Sequence, residues 1–374
     1  MEKKAARKQH TGDLSVALLV TILTIFGTIM IFSASYYYAI SDYGNPYHYL
    51  TRQLVWLGIG FVAMWVCSKI DYHFWVRFWL IAYVAGMALL VLVLIPGIGA
   101  SAYGATRWIQ LGPITLQPSE FSKIIMIVSL AALLQEKVGK LNTLSDLLPV
   151  AAYVGVPFLL VMKQPDLGTS LVFMAIFFGM IFACGINLKL LAGIFGTGIA
   201  CLPLLWHVLK DYQKMRIMVF LDPNVDPLGS GYHIIQSKIA IGSGMLFGKG
   251  LFEGTQSQLN FLPENHTDFI FAVVGEEWGF IGTVVLLLLY LVVLWRGIQI
   301  ARQAQDSFGT LLAVGITSML AFHVLVNVGM TAGIMPVTGI PLPFMSYGVS
   351  ALTTNIWAIT ILMNIYLRNQ KLQF

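Results

Sequence analysis

Apolar runs of roughly 18–25 residues recur along almost the whole chain, and runs of that length match the thickness of a bilayer. In hydrocarbon each backbone N–H and C=O must be satisfied internally, so only helices and closed barrels cross. The runs do not alternate apolar and polar residues, which excludes barrel strands and leaves helices. They lie at roughly residues 14–35, 53–68, 77–96, 119–136, 147–162, 168–186, 190–208, 268–295, 309–333 and 350–367. The expected fold is an all-α polytopic membrane protein, a bundle of about ten transmembrane helices in one integral membrane domain, residues 1–374. Charge is scarce in the way this requires: 10% of residues are charged and 57% hydrophobic, where soluble domains carry about 25% charged.

The first run follows a basic head, Met1-Glu2-Lys3-Lys4-Ala5-Ala6-Arg7-Lys8. It is too long for the apolar core of a cleaved signal, so an uncleaved signal anchor is expected. The three cysteines, Cys67, Cys184 and Cys201, all fall in apolar runs, which argues against disulfides or a zinc site. An even number of spans puts both termini on one side. Thirteen of the 22 lysines and arginines lie on that side, from Lys3 through Arg77, Lys137 and Arg296 to Lys371. The bias of such charges toward the cytoplasm makes both termini cytoplasmic. A long extracytoplasmic loop, about 209–267, then faces outward.

Polar, patterned sequence collects on that outer side. Leu262-Pro263-Glu264-Asn265-His266-Thr267-Asp268 ends the long loop just before an apolar run. Thr267 or Asp268 is placed to cap the helix that follows. A cap and a functional acid are equally good readings of Asp268 from this window alone. Its helical face continues through Ala272, Gly275 and Gly279, small residues that admit a neighbouring helix or a ligand. Glu276 and Glu277 follow at membrane depth, where carboxylates are costly and usually paired or functional. Earlier, Pro118 suits the first turn of a helix. Glu120 and Lys123, three residues apart on that helix, can pair on one face, as a structural bridge or as part of a ligand site. Asp166 is placed to cap the sixth span. In the long loop, 233–241 reads as a short amphipathic helix, and Gly242, Gly244, Gly248, Gly250 and Gly254 as a close-approach segment. The last outer loop, 333–348, has three prolines and several glycines in an apolar context, a broken backbone tolerated only in protein or beside a cavity. His323 and Asn327, four residues apart, suit hydrogen bonds between helices.

No nucleotide, haem or zinc motif is present, and no nucleic-acid partner is expected. Arg52, Arg107, Glu120, Lys123, Asp166 and Asp268 gather on one face. Cations and carboxylates around an outward cavity suit an anionic lipid headgroup such as a pyrophosphate: arginine binds phosphate oxygens in a planar fork, lysine as a point charge, and a carboxylate opposite can accept a proton from an attacking hydroxyl.

Four fragments, Gln117-Pro118-Ser119-Glu120-Phe121-Ser122-Lys123, Gln164-Pro165-Asp166-Leu167-Gly168-Thr169, Asn265-His266-Thr267-Asp268-Phe269-Ile270-Phe271 and Pro336-Val337-Thr338-Gly339-Ile340-Pro341-Leu342-Pro343, together resemble the SEDS family of bacterial cell-wall proteins. Gly254-Thr255-Gln256-Ser257-Gln258-Leu259 resembles its rod-shape (RodA) branch more than its division (FtsW) branch. Val349 departs from the family pattern, which has a second glycine after Ser-Tyr-Gly; a β-branched residue excludes a positive φ there. The resemblance implies a peptidoglycan glycosyltransferase in the bacterial cytoplasmic (inner) membrane, joining lipid II units into glycan strands during elongation. It implies Asp268 as the essential acid, acting as general base or holding a divalent cation (Mg2+ or Mn2+). Arg52, Arg107, Glu120, Lys123 and Asp166 become substrate-binding residues, with Arg52, Arg107 and Lys123 on the pyrophosphate and Glu120 orienting Lys123. It implies as partners a class B penicillin-binding protein and other elongation-complex membrane proteins. The alternatives are a lipid II flippase, which needs charge continuing through the membrane, and a non-catalytic scaffold for the crosslinking enzyme.

Overall fold

The computed structural model describes residues 2–102, 105–112 and 114–369. Its helices are α1 (Glu2–Tyr43), α2 (His48–Lys69), α3 (His73–Arg77), α4 (Trp79–Val93), α5 (Pro118–Leu134), α6 (Leu144–Lys163), α7 (Leu167–Ala183), α8 (Leu188–Ala200), α9 (Leu202–Val208), α10 (Asp211–Leu221), α11 (Ser230–Ser243), α12 (Thr255–Gln258), α13 (Ile270–Gln303), α14 (Ser307–Thr331) and α15 (Val349–Asn369). Seven contain a stretch long and apolar enough to cross a membrane, in α1, α2, α5, α6, α13, α14 and α15. Three shorter apolar helices, α4, α7 and α8, stand where further spans are expected. The chain is a helical multi-pass membrane protein.

The bundle is layered by burial. Most of α5, α14 and α15 is inside protein, whereas α2, α6 and α13 are largely exposed. The buried set explains the polar residues in these apolar helices. His323 of α14 meets the Lys123 ammonium of α5 at 2.9 Å, and Asn364 of α15 donates to the backbone carbonyls of Ser68 and Ile70 where α2 ends. At that same end Arg368 pairs with Asp71 at 2.7 Å, so the C-terminus of α2 is closed by α15.

Three departures from the sequence reading have local causes. Where a plain loop is expected there is a small antiparallel sheet, β1 (Gly99–Ala102), β2 (Ala105–Leu111) and β3 (Ile114–Leu116), in the order β1-β2-β3. Thr106, Trp108 and Ile109 favour a pleated backbone, and Ala100 pairs Trp108 while Ile109 pairs Leu116. The fold is therefore not purely helical. The run at 190–208 divides at Cys201 into α8 and α9, with Pro203 in the first turn of α9, where its missing N–H costs no helical hydrogen bond. The third difference is in α13, where Gly279 has φ 65° and ψ −162°, a conformation open essentially to glycine alone. The helix is thus two pieces, 270–278 and 280–303, and the first piece follows directly from the loop that bears Asp268.

Val349 is the first residue of α15 and has no positive φ, so the backbone there accepts a β-branched side chain. The expected amphipathic helix at 233–241 is α11, with Ile234 buried and Ile239 exposed.

Candidate active site

A cavity of about 920 Å³ opens among the ends of α2, β2, α5, α10, α11 and the loops 260–269 and 337–348. Asp268 lies on its wall. Neither Thr267 nor Asp268 caps α13: the N-cap residue is Phe269, with no side-chain cap. Instead the Thr267 hydroxyl donates to a Glu264 carboxylate oxygen at 2.8 Å. The cap reading of Asp268 is therefore replaced by a different arrangement. Its backbone carbonyl accepts from Asn327 Nδ2 at 2.8 Å, and the same amide nitrogen donates to the Ile340 carbonyl at 2.8 Å. Ser346 Oγ donates to the Thr267 carbonyl, and the Tyr347 amide to the His266 carbonyl. Asn265 donates to the Ser257 carbonyl at 3.0 Å. The segment 265–268 is thus held from α14, from the 337–348 loop and from α12, while the Asp268 carboxylate makes no hydrogen bond to protein among the described residues.

Burial raises the Asp268 carboxyl to about 7, helped by the Glu264 carboxylate and opposed by the Arg107 and Arg216 guanidinium groups. A carboxyl with that value near neutral pH is suited to accept a proton and to release it. Burial also lowers the nearby His266 and His233 imidazoles below their ordinary value, with Glu264 acting weakly the other way on each. His266 is packed by the rings of Tyr38, Tyr49 and Tyr347, with Tyr49 at 4.7 Å.

The expected site residues divide into two groups. Arg52, Arg107 and Glu120 line the cavity with Asp268. Lys123 and Asp166 do not reach its wall but stand directly behind it. Lys123 is 1% exposed, and its ammonium is 2.8 Å from Glu120 and 2.9 Å from His323 Nε2. The expected pair at three-residue spacing is present, yet it presents Glu120 to the cavity rather than Lys123. A direct grip of Lys123 on a phosphate is not what this geometry offers. Asp166 caps α7, accepting from the Thr169 amide at 3.1 Å and the Thr169 hydroxyl at 2.9 Å. It also faces Arg107 at 3.8 Å and accepts from Gln117 at 3.3 Å. With Arg107 Nη2 donating to the Pro165 carbonyl at 2.7 Å, the guanidinium is fixed in direction.

Arg216 of α10 was not among the residues the sequence singles out, and it also lines the cavity. Its Nη1, and Nε of Arg107, are buried without a hydrogen-bond partner. An unmet buried guanidinium N–H costs free energy unless a ligand or water takes it. Two such donors in a cavity that also bears an ionisable carboxyl suit an anionic group. A local signal for Arg216 hardly exists: its position in a long loop says nothing of burial, and only the fold turns α10 inward.

No cluster of three or more His, Cys, Asp or Glu able to hold a metal occurs among the described residues. Of the three carboxylates that line the cavity, Glu120 is paired with Lys123, which leaves Asp268 and Glu264. A hard divalent cation takes six or more oxygen ligands and often borrows phosphate oxygens. The protein side of a cation site is thus incomplete, and no chemical step below depends on one.

The family model described as "Cell cycle protein", covering FtsW, RodA and SpoVE, matches residues 13–371. A probable peptidoglycan glycosyltransferase FtsW from Trichlorobacter lovleyi is 42% identical over 356 residues, 94% of this chain and 92% of that protein. Peptidoglycan glycosyltransferase MrdB from Escherichia coli K12 is 40% identical over 364 residues, 96% of this chain and 95% of that protein. Among solved structures, a chain from work on the coordination of polymerization and crosslinking by a peptidoglycan synthase complex superposes with TM-score 0.81 at 30% identity, covering 96% of this chain and 98% of that one. The Thermus thermophilus rod shape determining protein RodA superposes with TM-score 0.70 at 28% identity, covering 96% and 97%.

Proposed function

Because this chain belongs to the SEDS family, that of FtsW, RodA and SpoVE, we propose that the cavity around Asp268 is where its peptidoglycan glycosyltransferase reaction takes place. The protein is a glycosyltransferase of peptidoglycan synthesis, as its curated relatives are. The substrate is lipid II. The observation that carries the reading is the pairing of a free Asp268 carboxyl with the unmet guanidinium donors of Arg107 and Arg216 on one cavity wall.

The chemistry follows from that pairing. The acceptor sugar hydroxyl loses its proton to the Asp268 carboxylate as its oxygen bonds to the anomeric carbon of the donor. The bond from that carbon to the donor's pyrophosphate breaks, and the electron pair leaves with the lipid pyrophosphate. Arg107 and Arg216, with Arg52 at the rim, stabilise the growing negative charge. Preorganisation matters here: Asp166 and the Pro165 carbonyl hold Arg107 before substrate arrives. Glu120 lines the cavity with its charge balanced by Lys123.

The protein resides in the bacterial inner membrane with both termini cytoplasmic and the cavity outward. Its partner is a class B penicillin-binding protein that supplies crosslinking, with other elongation-complex membrane proteins; similarity to a chain of a peptidoglycan synthase complex supports a partner. We assign it to elongation on the Gly-Thr-Gln-Ser segment. The test is polymerisation of fluorescent lipid II by the purified protein with its partner, comparing wild type with Asp268→Ala. Long glycan from wild type and none from the folded variant is the expected result. Polymer from both would remove Asp268 as the base, and polymer from neither with lipid II translocation in vesicles would favour a flippase. The flippase reading is weakened at its one hint, Glu276 and Glu277: Glu276 pairs with Lys249, and Glu277 Oε1 accepts from Ser33 and Gln258.

A further inference from the structure

The break at Gly279 leaves four backbone groups of α13 in need of partners. The amides of Phe280 and Ile281 would ordinarily bond to the carbonyls of Glu276 and Glu277, four residues back. Here the Phe280 amide donates to the Met245 carbonyl at 2.8 Å and the Ile281 amide to the Leu246 carbonyl at 3.1 Å. The released carbonyls are taken by the loop as well: the Lys249 amide donates to Glu276 at 3.0 Å and the Gly250 amide to Glu277 at 3.1 Å. Residues 245–250 are therefore spliced into the helix ladder. A Cβ on Gly248 would lie 2.1 Å from the Glu277 carbonyl oxygen, so only glycine permits the approach.

The two carboxylates beside the break fasten the same loop. Glu276 accepts from Lys249 Nζ at 2.8 Å and from the amides of Gln256 and Ser257 at the start of α12. Glu277 accepts from Ser33 Oγ of α1 at 2.6 Å and from Gln258 at 3.3 Å.

The splice lies at membrane depth. Phe26, well inside the α1 span Ser15–Tyr43, meets the Trp278 ring at 5.4 Å. From Arg296, the first cation at the far end of α13, back to Phe280 is about 24 Å of helix at 1.5 Å per residue, within a hydrocarbon core of about 30 Å. At that depth the tip of the loop is apolar and outward: Met245 is 78% exposed, Leu246 59% and Phe247 79%. It continues the exposed apolar surface of Phe280, Ile281 and Val285 on α13.

We propose that residues 244–250 form a re-entrant loop whose tip, Met245, Leu246 and Phe247, lies among lipid acyl chains of the cavity-side leaflet. Four of its backbone groups, the Met245 and Leu246 carbonyls and the Lys249 and Gly250 amides, are satisfied by α13, and this splicing into a helix ladder is what lets irregular chain stand at this depth. The loop thereby anchors the far end of the 270–278 piece, whose near end presents Asp268. Acyl chains are the occupant the surface calls for, since it is continuous with the lipid-facing side of α13 and carries no charge. The inference is independent of the polymerase reading and needs no activity to test.

The test uses single cysteines in a variant with Cys67, Cys184 and Cys201 replaced by alanine. One protein carries Phe247→Cys. The control carries Leu228→Cys, at a position 92% exposed in the long loop. Both are reconstituted in phosphatidylethanolamine–phosphatidylglycerol vesicles opened by freeze–thaw, so that a membrane-impermeant maleimide reaches both faces. The Leu228→Cys thiol is expected to react at least ten-fold faster than Phe247→Cys. A permeant NBD-maleimide placed on Phe247→Cys is expected to be quenched by lipids with a nitroxide on the acyl chain. Equal labelling rates would overturn the proposal. So would slow labelling without acyl-chain quenching, because the tip would then be packed on protein. Unchanged elution and melting relative to the cysteine-free parent show that each variant is folded.

Discussion

Glu120 and Lys123 give the sharpest test of how the cavity wall is built. The Lys123 ammonium is 1% exposed and has two partners, the Glu120 carboxylate at 2.8 Å and His323 Nε2 at 2.9 Å. Glu120→Gln removes the only countercharge among the described residues and leaves a cation sealed in protein. Breaking a buried pair from one side in this way costs about 3–5 kcal/mol. At an unfolding entropy near 2.1 cal/mol/K per residue, a chain of 374 residues has roughly 0.8 kcal/mol/K. A loss of about 4 kcal/mol then lowers the melting temperature by about 5 °C, and by more if spanning helices persist in the unfolded state and reduce that entropy. The double variant Glu120→Gln/Lys123→Met removes both charges with little change of volume, and such replacements are often neutral or stabilising. Melting of detergent-purified proteins followed by intrinsic fluorescence should therefore show a drop for Glu120→Gln and recovery to within about 2 °C of wild type for the double variant. Polymerisation should stay impaired in the double variant, because the carboxylate facing the cavity is still missing. A single variant that melts with wild type, or a double variant no better than the single, would refute the assignment of Lys123 as the internal countercharge.

Four further outcomes are expected. Polymerisation should rise with pH through about 7 and then level, because Asp268 must be ionised to take a proton and its carboxyl stands at about 7; Glu264→Gln, which removes a like charge, should move this limb to lower pH by about one unit, and a limb that moves upward would contradict the electrostatics. Linkage adds a stability signature: with its folded value raised from 3.8 to about 7, Asp268 penalises the folded state increasingly as pH climbs through that window. Asp268→Asn should thus melt with wild type near pH 4 and above it at pH 8, in thermal scans at the two values. Arg216→Gln should weaken polymerisation by ten-fold or more in rate assays with melting unchanged, and Arg216→Lys should recover only part, since a point charge replaces a fork. Gly279→Ala should lower the melting temperature by several degrees: the added Cβ would lie 2.3 Å from the Gly248 amide nitrogen at a φ of 65°, and the strained backbone alone costs about 1–3 kcal/mol.

Much of the bundle was legible because the bilayer imposes it. An apolar run of fixed length has to be a helix, so ten apolar helices stand near their expected places, even where α8 and α9 divide at Cys201. Short-range pairing was legible too: Glu120 with Lys123 and Asp166 capping α7 both follow from spacing along the chain. The sheet at 99–116 was hidden because short strands carry little periodicity, and here the polar Thr106 and Arg107 read as loop. Arg216 and the replacement of the expected cap at Asp268 were hidden for a different reason. Both depend on which surfaces the long loop meets once folded.

The sequence by itself determined the class of solvent, the number of apolar helices, and the acid and cations assembled at one end, because hydrocarbon tolerates few alternatives and charge is expensive within it. Only the tertiary structure decided which of those charges face the cavity. Lys123 and Asp166 turn inward to support Glu120 and Arg107, while Arg216 enters from a segment distant in the chain. It also decided the fate of Glu276 and Glu277, which look like costly membrane carboxylates until residues 245–258 and Ser33 of α1 supply partners. The physical reason is common to all three: a buried charge is settled by its nearest partner in space, and that partner is chosen by packing between elements rather than by neighbours along the chain.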